Sequence, residues 1–363
     1  MLARVCLPKL QAAAVRLKSP AISANEVNVI ISDRDVKQTT LCRVWAGMGY
    51  IYELSLLRGK YRFVVKRVVV SPPSGGRQRL SFGDERKARS YQVEANFYEN
   101  VAPWLLQKGI RIPQPLHVER DSECRKVTIC MSKVEGRVGG GLSNIDENKA
   151  ALRWLAAFHS ATWDYKDDVL HSAGLQPTAS YWHLDTRPEE HTSMSKTGWE
   201  GRLRRAARAI DSRLKRDKMQ CLCHGDAKDA NMIWPHRRSS DEVSVAFCDF
   251  QYCGKGPPTV DLAYFLCVAA VNVEKTENYL IEYYYEQLSG QLRSLGVDAI
   301  PSLQELQESL LIAYCDFSRF MCGWGWWGTD ISHKVISVLD RLDGGKDLGS
   351  EDAYQEAMLL HFG

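Results

Sequence analysis

Hydrophobic and polar positions divide the chain into two stretches of different period. From Leu41 the pattern is β-like. Leu41 to Ala46, Tyr50 to Leu57 and Tyr61 to Val70 are rich in Val, Tyr and Ile, residue types that fit a pleated, half-buried surface. Gly47-Met48-Gly49 separates the first two runs, and Arg58-Gly59-Lys60 the next two. The three runs predict a meander. Ser71 to Gly76 is a Pro- and Gly-rich breaker. Val93, Phe97 and Val101 recur at helical spacing and predict a helix from Asp84 to Trp104. Pro113 and Pro115 end the connection. Leu116 to Glu119 and Val127 to Met131 then read as two further strands about a turn at Asp121.

Beyond Gly136 the period changes. Helical patterns cover Asp146 to Thr162, Gly201 to Arg216, Val260 to Val273, Thr276 to Leu288 and Leu303 to Phe320. Asp146 reads as the cap of the first. A short β-like insert comprises Cys221 to Leu222, Met232 to Trp234 and Val243 to Phe247. The expected organisation is a basic segment over 1–25, a small mixed lobe over 26–135 and a mainly helical lobe over 136–363. The tail beyond about residue 330 carries no reading.

Composition narrows the class. The chain of 363 residues is 45% hydrophobic and 25% charged, the profile of a globular protein rather than a disordered or fibrous one. Basic and acidic residues number 47 and 44, a balance that gives no support to a nucleic-acid partner. The basic stretch Arg202 to Lys218 has Leu203, Ala207, Ile210 and Leu214 at helical spacing, so it reads as an amphipathic helix with a solvated face. The 11 cysteines form no C-x-x-C pair, which removes zinc ribbons and suggests a reducing compartment. No apolar run reaches the length of a membrane span. Residues 1–25 carry Arg4, Lys9, Arg16 and Lys18 and no acid. The expectation is a cytoplasmic protein, or a mitochondrial or plastid one if that segment is a transit peptide.

The chemistry concentrates in His224-Gly225-Asp226-Ala-Lys228-Asp-Ala-Asn231 and Cys248-Asp249-Phe250-Gln251. Phosphoryl transfer needs a carboxylate to take or orient the acceptor proton and oxygen ligands to hold Mg²⁺ on the phosphates. Asp226 and Asn231, flanking one tight loop, supply a base and one ligand. Asp249, after a hydrophobic strand, supplies another. Hard oxygen donors suit Mg²⁺. Upstream, Lys66 alternates with Val64 and Val68 on the inward face of the third strand, where a lysine needs a partner. Glu94 on the following helix is the natural one. The Gly47-x-Gly49 turn is a place where backbone approaches phosphates, although a lone G-x-G is weak evidence.

In order, these pieces match the protein-kinase signature set. The sequence resembles the kinase-like small-molecule phosphotransferases of the aminoglycoside phosphotransferase and choline kinase group. Within that group it resembles the ecdysteroid-kinase-like, or CHK-kinase-like, family. The resemblance rests on Tyr91 to Tyr98, Ala151 to His159, His224 to Asn231, Asp249 to Gln251 and Asp261 to Leu266. It implies a two-lobed protein-kinase-like α+β fold using ATP and Mg²⁺ to phosphorylate a hydroxyl of a small molecule. Asp226 then looks like the catalytic base, with Lys228 beside it as a possible contact to the γ-phosphate. Asn231 and Asp249 look like the Mg²⁺ ligands. Lys66 looks like the phosphate-gripping lysine, paired with Glu94. Gly47 and Gly49 look like the phosphate-covering turn. Met131, Ser132 and Val134 fall in what looks like the adenine hinge. His224 looks like a packing and orienting residue with no part in proton transfer.

Departures separate the chain from protein kinases. Gln251 stands where D-F-G has Gly, Gly225 stands where an Arg would hold a phosphorylated loop, and only 11 residues lie between Asp249 and Asp261. Gln251 and the thin glycine turn keep one alternative open, a pseudokinase-like module that binds without chemistry. Trp324, Trp326 and Trp327 divide between core packing and an aromatic wall for the acceptor, and the stretch Tyr181 to Arg187 between an ordinary surface loop and the lining of an acceptor pocket.

Overall fold

The computed structural model describes residues 37–44, 47–56, 59, 61–70, 81–121, 125–164, 166–235 and 243–363. The basic segment 1–25 and the breaker Ser71 to Gly76 lie outside the described residues, as do Trp45, Ala46, Arg58 and Lys60. Two compact units meet in sequence between Glu135 and Gly136.

The N-terminal unit is a five-stranded antiparallel sheet in the order β1-β2-β3-β5-β4. Its strands are β1 (Lys37–Arg43), β2 (Gly49–Leu56), β3 (Tyr61–Val69), β4 (Pro115–Arg120) and β5 (Lys126–Ser132). Alternation divides β3 between two faces. Phe63 and Val65 join Leu54, Leu56 and Cys130 in one apolar cluster. Lys66 and Val68 turn the other way and are also buried. Over that face lies α1 (Phe82–Asn96), capped by the Ser81 hydroxyl accepting from the Asp84 N–H. The expected helix to Trp104 is interrupted by a π turn, Phe97–Val101, before α2 (Ala102–Gln107). Pro103 has no N–H to continue an α ladder, and Phe97, Tyr98 and Val101 bury fully inside the turn. The first strand lies about four residues earlier than its hydrophobic run predicts. It is an edge strand exposed at every position, so it carries no alternation to read.

The C-terminal unit is mainly helical. Its elements are β6 (Arg137–Val138), α3 (Ile145–Ala161), α4 (Asp167–Ala173), α5 (Pro188–Ser193), α6 (Gly198–Lys215), β7 (Cys221–Cys223), β8 (Met232–Trp234), β9 (Ala246–Phe247), β10 (Gly254–Gly256), α7 (Thr259–Val268), α8 (Val273–Ser294), α9 (Leu303–Trp324), α10 (Ser332–Asp343) and α11 (Glu351–Phe362). The cap of α3 is Asn144 rather than Asp146. Its side-chain oxygen accepts from the Asp146 and Glu147 amides, and Glu147 reaches back to the Ser143 amide. The apolar run to Val273 overshoots α7, which stops at Val268; α8 begins after Asn272, a residue with φ of 57°.

The unread tail forms α10 and α11, and it changes the account of the basic helix. Leu203, Ala207, Ile210 and Leu214 are buried as expected. The basic face of α6 is not simply solvated. Arg202 pairs with Asp340 and with Asp343, whose side chain is fully buried. Arg205 pairs with Asp347 and Arg208 with Glu351. Arg202, Arg205 and Arg208 thus tie α6 to the C-terminal segment, while Arg208, Lys215, Arg216 and Lys218 stay exposed. No described helix is long and apolar enough to cross a membrane. All nine described cysteines are free thiols.

Candidate active site

In the N-terminal unit the structure joins Lys66 to Glu94. Lys66 Nζ lies 2.6 Å from Glu94 Oε2, with both side chains almost wholly buried. The ammonium also sits 5.7 Å from the Tyr91 ring centroid. An ion pair without water is an expensive thing to bury, and α1 and β3 supply one in the middle of a sheet face.

The two glycines of the first turn have local reasons to be glycine. Gly47 has φ of 71°. A Cβ on Gly49 would lie 2.0 Å from the Arg67 carbonyl oxygen, so only Gly lets β2 start against β3. The Gly47 amide donates to the Val44 carbonyl within the turn. At the end of β5, Met131 is buried, and Ser132 is tied twice to Gln114, through its amide to the carbonyl and through its hydroxyl from the amide. Val134 follows in irregular backbone.

In the C-terminal unit β7 delivers the loop His224 to Asn231. Gly225 has φ of 78°, and a Cβ there would lie 2.2 Å from the Tyr252 carbonyl oxygen. The loop thus closes on the Asp249–Gln251 segment only with Gly at that position. Asp261, fully buried at the start of α7, holds the loop from below. Its carboxylate accepts from the His224 amide at 2.6 Å, the Gly225 amide at 2.8 Å and His159 Nε2 at 3.1 Å. His159 Nδ1 in turn accepts from the Tyr284 hydroxyl at 2.8 Å. The His159–Asp261 link is not evident from spacing; its one sequence signal is a histidine closing the mainly apolar stretch Ala151 to His159.

The His224 ring is packed by Phe250, Phe247 and Trp154. Nε2–H donates to the Cys248 carbonyl and Nδ1 accepts from the Asp226 amide. These partners assign a neutral ring, and burial holds its pKa below the usual value. Both ring nitrogens of His224 are thus engaged by backbone groups.

Asp226, Lys228, Asn231 and Asp249 come together. Asn231 Nδ2 donates to the Asp226 carbonyl at 2.9 Å and to Asp226 Oδ2 at 3.0 Å. Lys228 Nζ lies 2.9 Å from the same Oδ2 and is partly exposed. Asp226 Oδ1, in a residue only 5% exposed, accepts no close hydrogen bond among the described residues. Burial raises the Asp226 pKa, Lys228 opposes the rise, and the like charge of Asp249 adds to it. Asp249 follows Cys248, whose amide donates to the Asn231 carbonyl at 2.9 Å, so backbone pairing brings the two side chains to one place. Asp249 has φ of 68°, a strained setting for a residue with a Cβ and one met at functional sites. The Asn231 amide nitrogen is spent on Asp226. Its carbonyl oxygen and the Asp249 carboxylate are hard donors of the kind Mg²⁺ takes.

Two tyrosines from the stretches singled out in the sequence, Tyr181 and Tyr264, border Asp226. Burial raises the pKa of both hydroxyls, the Asp226 charge adds to the rise, and the Tyr264 hydroxyl lies within hydrogen-bonding reach of the Asp226 carboxylate. These hydroxyls are 3.3 Å apart. Arg187 stacks among Tyr181, Phe320 and Trp324. Trp327 packs on Phe317 and Phe320, while Trp324 and Trp326 stay about half exposed.

An antiparallel sheet unit with a buried Lys–Glu pair, followed by a helical unit carrying the Asp226 loop, defines a two-lobed protein-kinase-like α+β fold. The model of a phosphotransferase enzyme family matches residues 52–296, about two thirds of the sequence, and the chain belongs to that family. An uncharacterized kinase-like protein of Caenorhabditis elegans is 25% identical over 216 residues, which are 53% of this chain and 55% of that protein. The match thus spans about half the length of the curated relative. Among solved structures, a mutant aminoglycoside 2′-phosphotransferase-IIIa in its GDP complex superposes with a TM-score of 0.51 at 12% identity, over 93% of this chain and 96% of that one. Plasmodium vivax ethanolamine kinase gives 0.49 at 13% identity, over 94% and 84%.

Proposed function

We propose that the protein is an ATP- and Mg²⁺-dependent kinase of a small-molecule hydroxyl. The observation that carries this reading is Asp226, a buried carboxylate with one oxygen held by Asn231 and Lys228 and the other left without a close hydrogen bond among the described residues, with the Tyr264 hydroxyl beside the carboxylate. That second oxygen is where an acceptor O–H would donate. The acceptor oxygen attacks the γ-phosphorus of ATP, the bond from that phosphorus to the β–γ bridging oxygen breaks, ADP leaves, and the acceptor proton passes to Asp226. Asn231 and Asp249 would hold Mg²⁺, which neutralises charge on the phosphates. Lys66, fixed by Glu94, would grip the α- and β-phosphates, and Met131 to Val134 would hold adenine. Catalysis on this account is positioning and charge neutralisation.

The acceptor belongs to a finer proposal. Sterol-, choline- and aminoglycoside-like hydroxyls remain the candidates, and the ecdysteroid-kinase-like assignment rests on the stretches quoted above. The internal hydrogen bond of the Gly47 amide favours the second reading, a pseudokinase-like module that binds without transfer. An ADP-release screen of hydroxylated metabolites, run on wild type and Asp226→Asn with MgATP, separates the two. Release that needs an acceptor and vanishes in the variant supports the kinase. Equal release from both proteins removes Asp226 as the base.

A further inference from the structure

We infer that the C-terminal unit has a second ligand site, separate from Asp226, for a neutral and mainly apolar small molecule that carries one hydroxyl or carbonyl. The unit contains a cavity of about 500 Å³, walled on its apolar side by Leu170, Leu175, Leu214, Pro257 and Val260. That is the size of small-molecule pockets, which lie at roughly 300–1,000 Å³.

Its position follows from the β7–β10 ribbon. Gly254 faces Cys223 and Gly256 faces Cys221. The Asp226 loop leaves from the Cys223 end. The cavity runs from Gln220, Gly256 and Pro257 at the other end, about 10 Å of strand away, to Ser180, which packs beside Gly225 of the loop. Asp226, Asn231 and Asp249 are not among its walls.

The chemistry of the guest follows from which polar groups are committed. Asp211 pairs with Lys215 at 2.8 Å, and Lys215 also reaches Asp185. Lys255 pairs with Asp167, and Asp316 with Arg319. These charges of the wall are met within the protein, so an ion gains little by entering. Ser180 is different. It lines the cavity, is 1% exposed, and its hydroxyl has no hydrogen-bond partner among the described residues. A buried hydroxyl left unsatisfied calls for an explanation, and a ligand donor or acceptor supplies one. Ser180 has φ of 83° and donates its amide to the Tyr252 carbonyl at 3.2 Å, which holds the residue in the wall.

The test uses 2-naphthol as probe and naphthalene-2-sulfonate as its charged counterpart, titrated calorimetrically into the full chain with and without MgATP. The expected result is one saturable 2-naphthol site of sub-millimolar Kd that MgATP does not compete away, with the sulfonate at least tenfold weaker. Ser180→Ala should weaken 2-naphthol about fivefold. Leu214→Trp or Leu170→Trp, whichever melts like wild type, should abolish binding by filling the cavity. Ser180→Ala removes only a hydroxyl and keeps the test decisive if both bulky variants unfold. No saturation at millimolar 2-naphthol, displacement by MgATP, tighter binding of the sulfonate, or unchanged affinity in Ser180→Ala would overturn the proposal.

Discussion

Replacing both members of the Lys66–Glu94 pair should cost less than replacing either one. The pair is 2.6 Å long, with side-chain exposures of 5% and 2%. Lys66→Met leaves the Glu94 carboxylate buried without its ammonium, and Glu94→Leu does the reverse. Each should cost about 3–5 kcal/mol, the usual penalty for orphaning a buried charge. If the two effects were additive, the double variant would lose about 6–10 kcal/mol, as much as a typical domain has. Apolar side chains of similar volume remove both desolvation penalties instead, so Lys66→Met/Glu94→Leu should fall within about 1–2 kcal/mol of wild type, a coupling of about 4 kcal/mol or more. Urea unfolding by circular dichroism, with hydrogen exchange at β3 amides reporting the N-terminal unit, gives the cycle. MgATP should raise the melting temperature of wild type and leave that of the double variant unmoved. A double variant as unstable as the sum of the singles would refute the desolvation argument. One that keeps the full MgATP shift would show that the pair has no role in nucleotide binding.

Three further outcomes follow from the C-terminal unit. Asp226→Asn should stop transfer yet stabilise the fold at pH 7. The folded carboxyl pKa is raised by burial, so ionisation penalises the native state above it, and the gain in the variant should fade as pH drops toward the unfolded value of about 4; denaturation midpoints from pH 4 to 8 check the sign. Gly225→Ala should cost at least ~2 kcal/mol, because φ of 78° disfavours a Cβ and the new atom would press on the Tyr252 carbonyl; a melting temperature equal to wild type contradicts it. Arg202→Ala should cost about 2–4 kcal/mol by orphaning the buried Asp343 and should expose α10 and α11 to limited proteolysis. The Asp343 pKa is opposed by burial yet net lowered by Arg202 and Tyr354, so wild type should lose this contribution as pH falls through the depressed value, and the variant should lack that acid transition.

The positions of chemistry were legible because each stands in a local pattern. Lys66 alternates into a strand face, Asp226 and Asn231 flank a loop between short apolar strands, and Asp249 ends one. What brings them to geometry was not, because it is made of contacts distant in sequence. The anchoring of the loop by Asp261, at the start of a helix, is implied by the resemblance, but its link to His159 and the packing of Ser180 and Tyr252 on Gly225 involve elements whose pairing no local period announces. Strand β1 was misplaced since an exposed edge strand has no buried side to mark it. The α10 helix was missed despite a signal, Val335, Val338, Leu339 and Leu342 at helical spacing, all of them buried. With that tail unread, the acidic partners of Arg202, Arg205 and Arg208 stay out of view, and this part of the basic face reads as solvated.

Calorimetric titration of ATP into the full chain, with and without Mg²⁺ and beside Asp249→Asn, bears most directly on the kinase proposal. The account predicts binding that Mg²⁺ strengthens in wild type and no longer strengthens in Asp249→Asn. Mg²⁺-independent affinity in both proteins, or no binding of millimolar ATP to folded wild type, would contradict it.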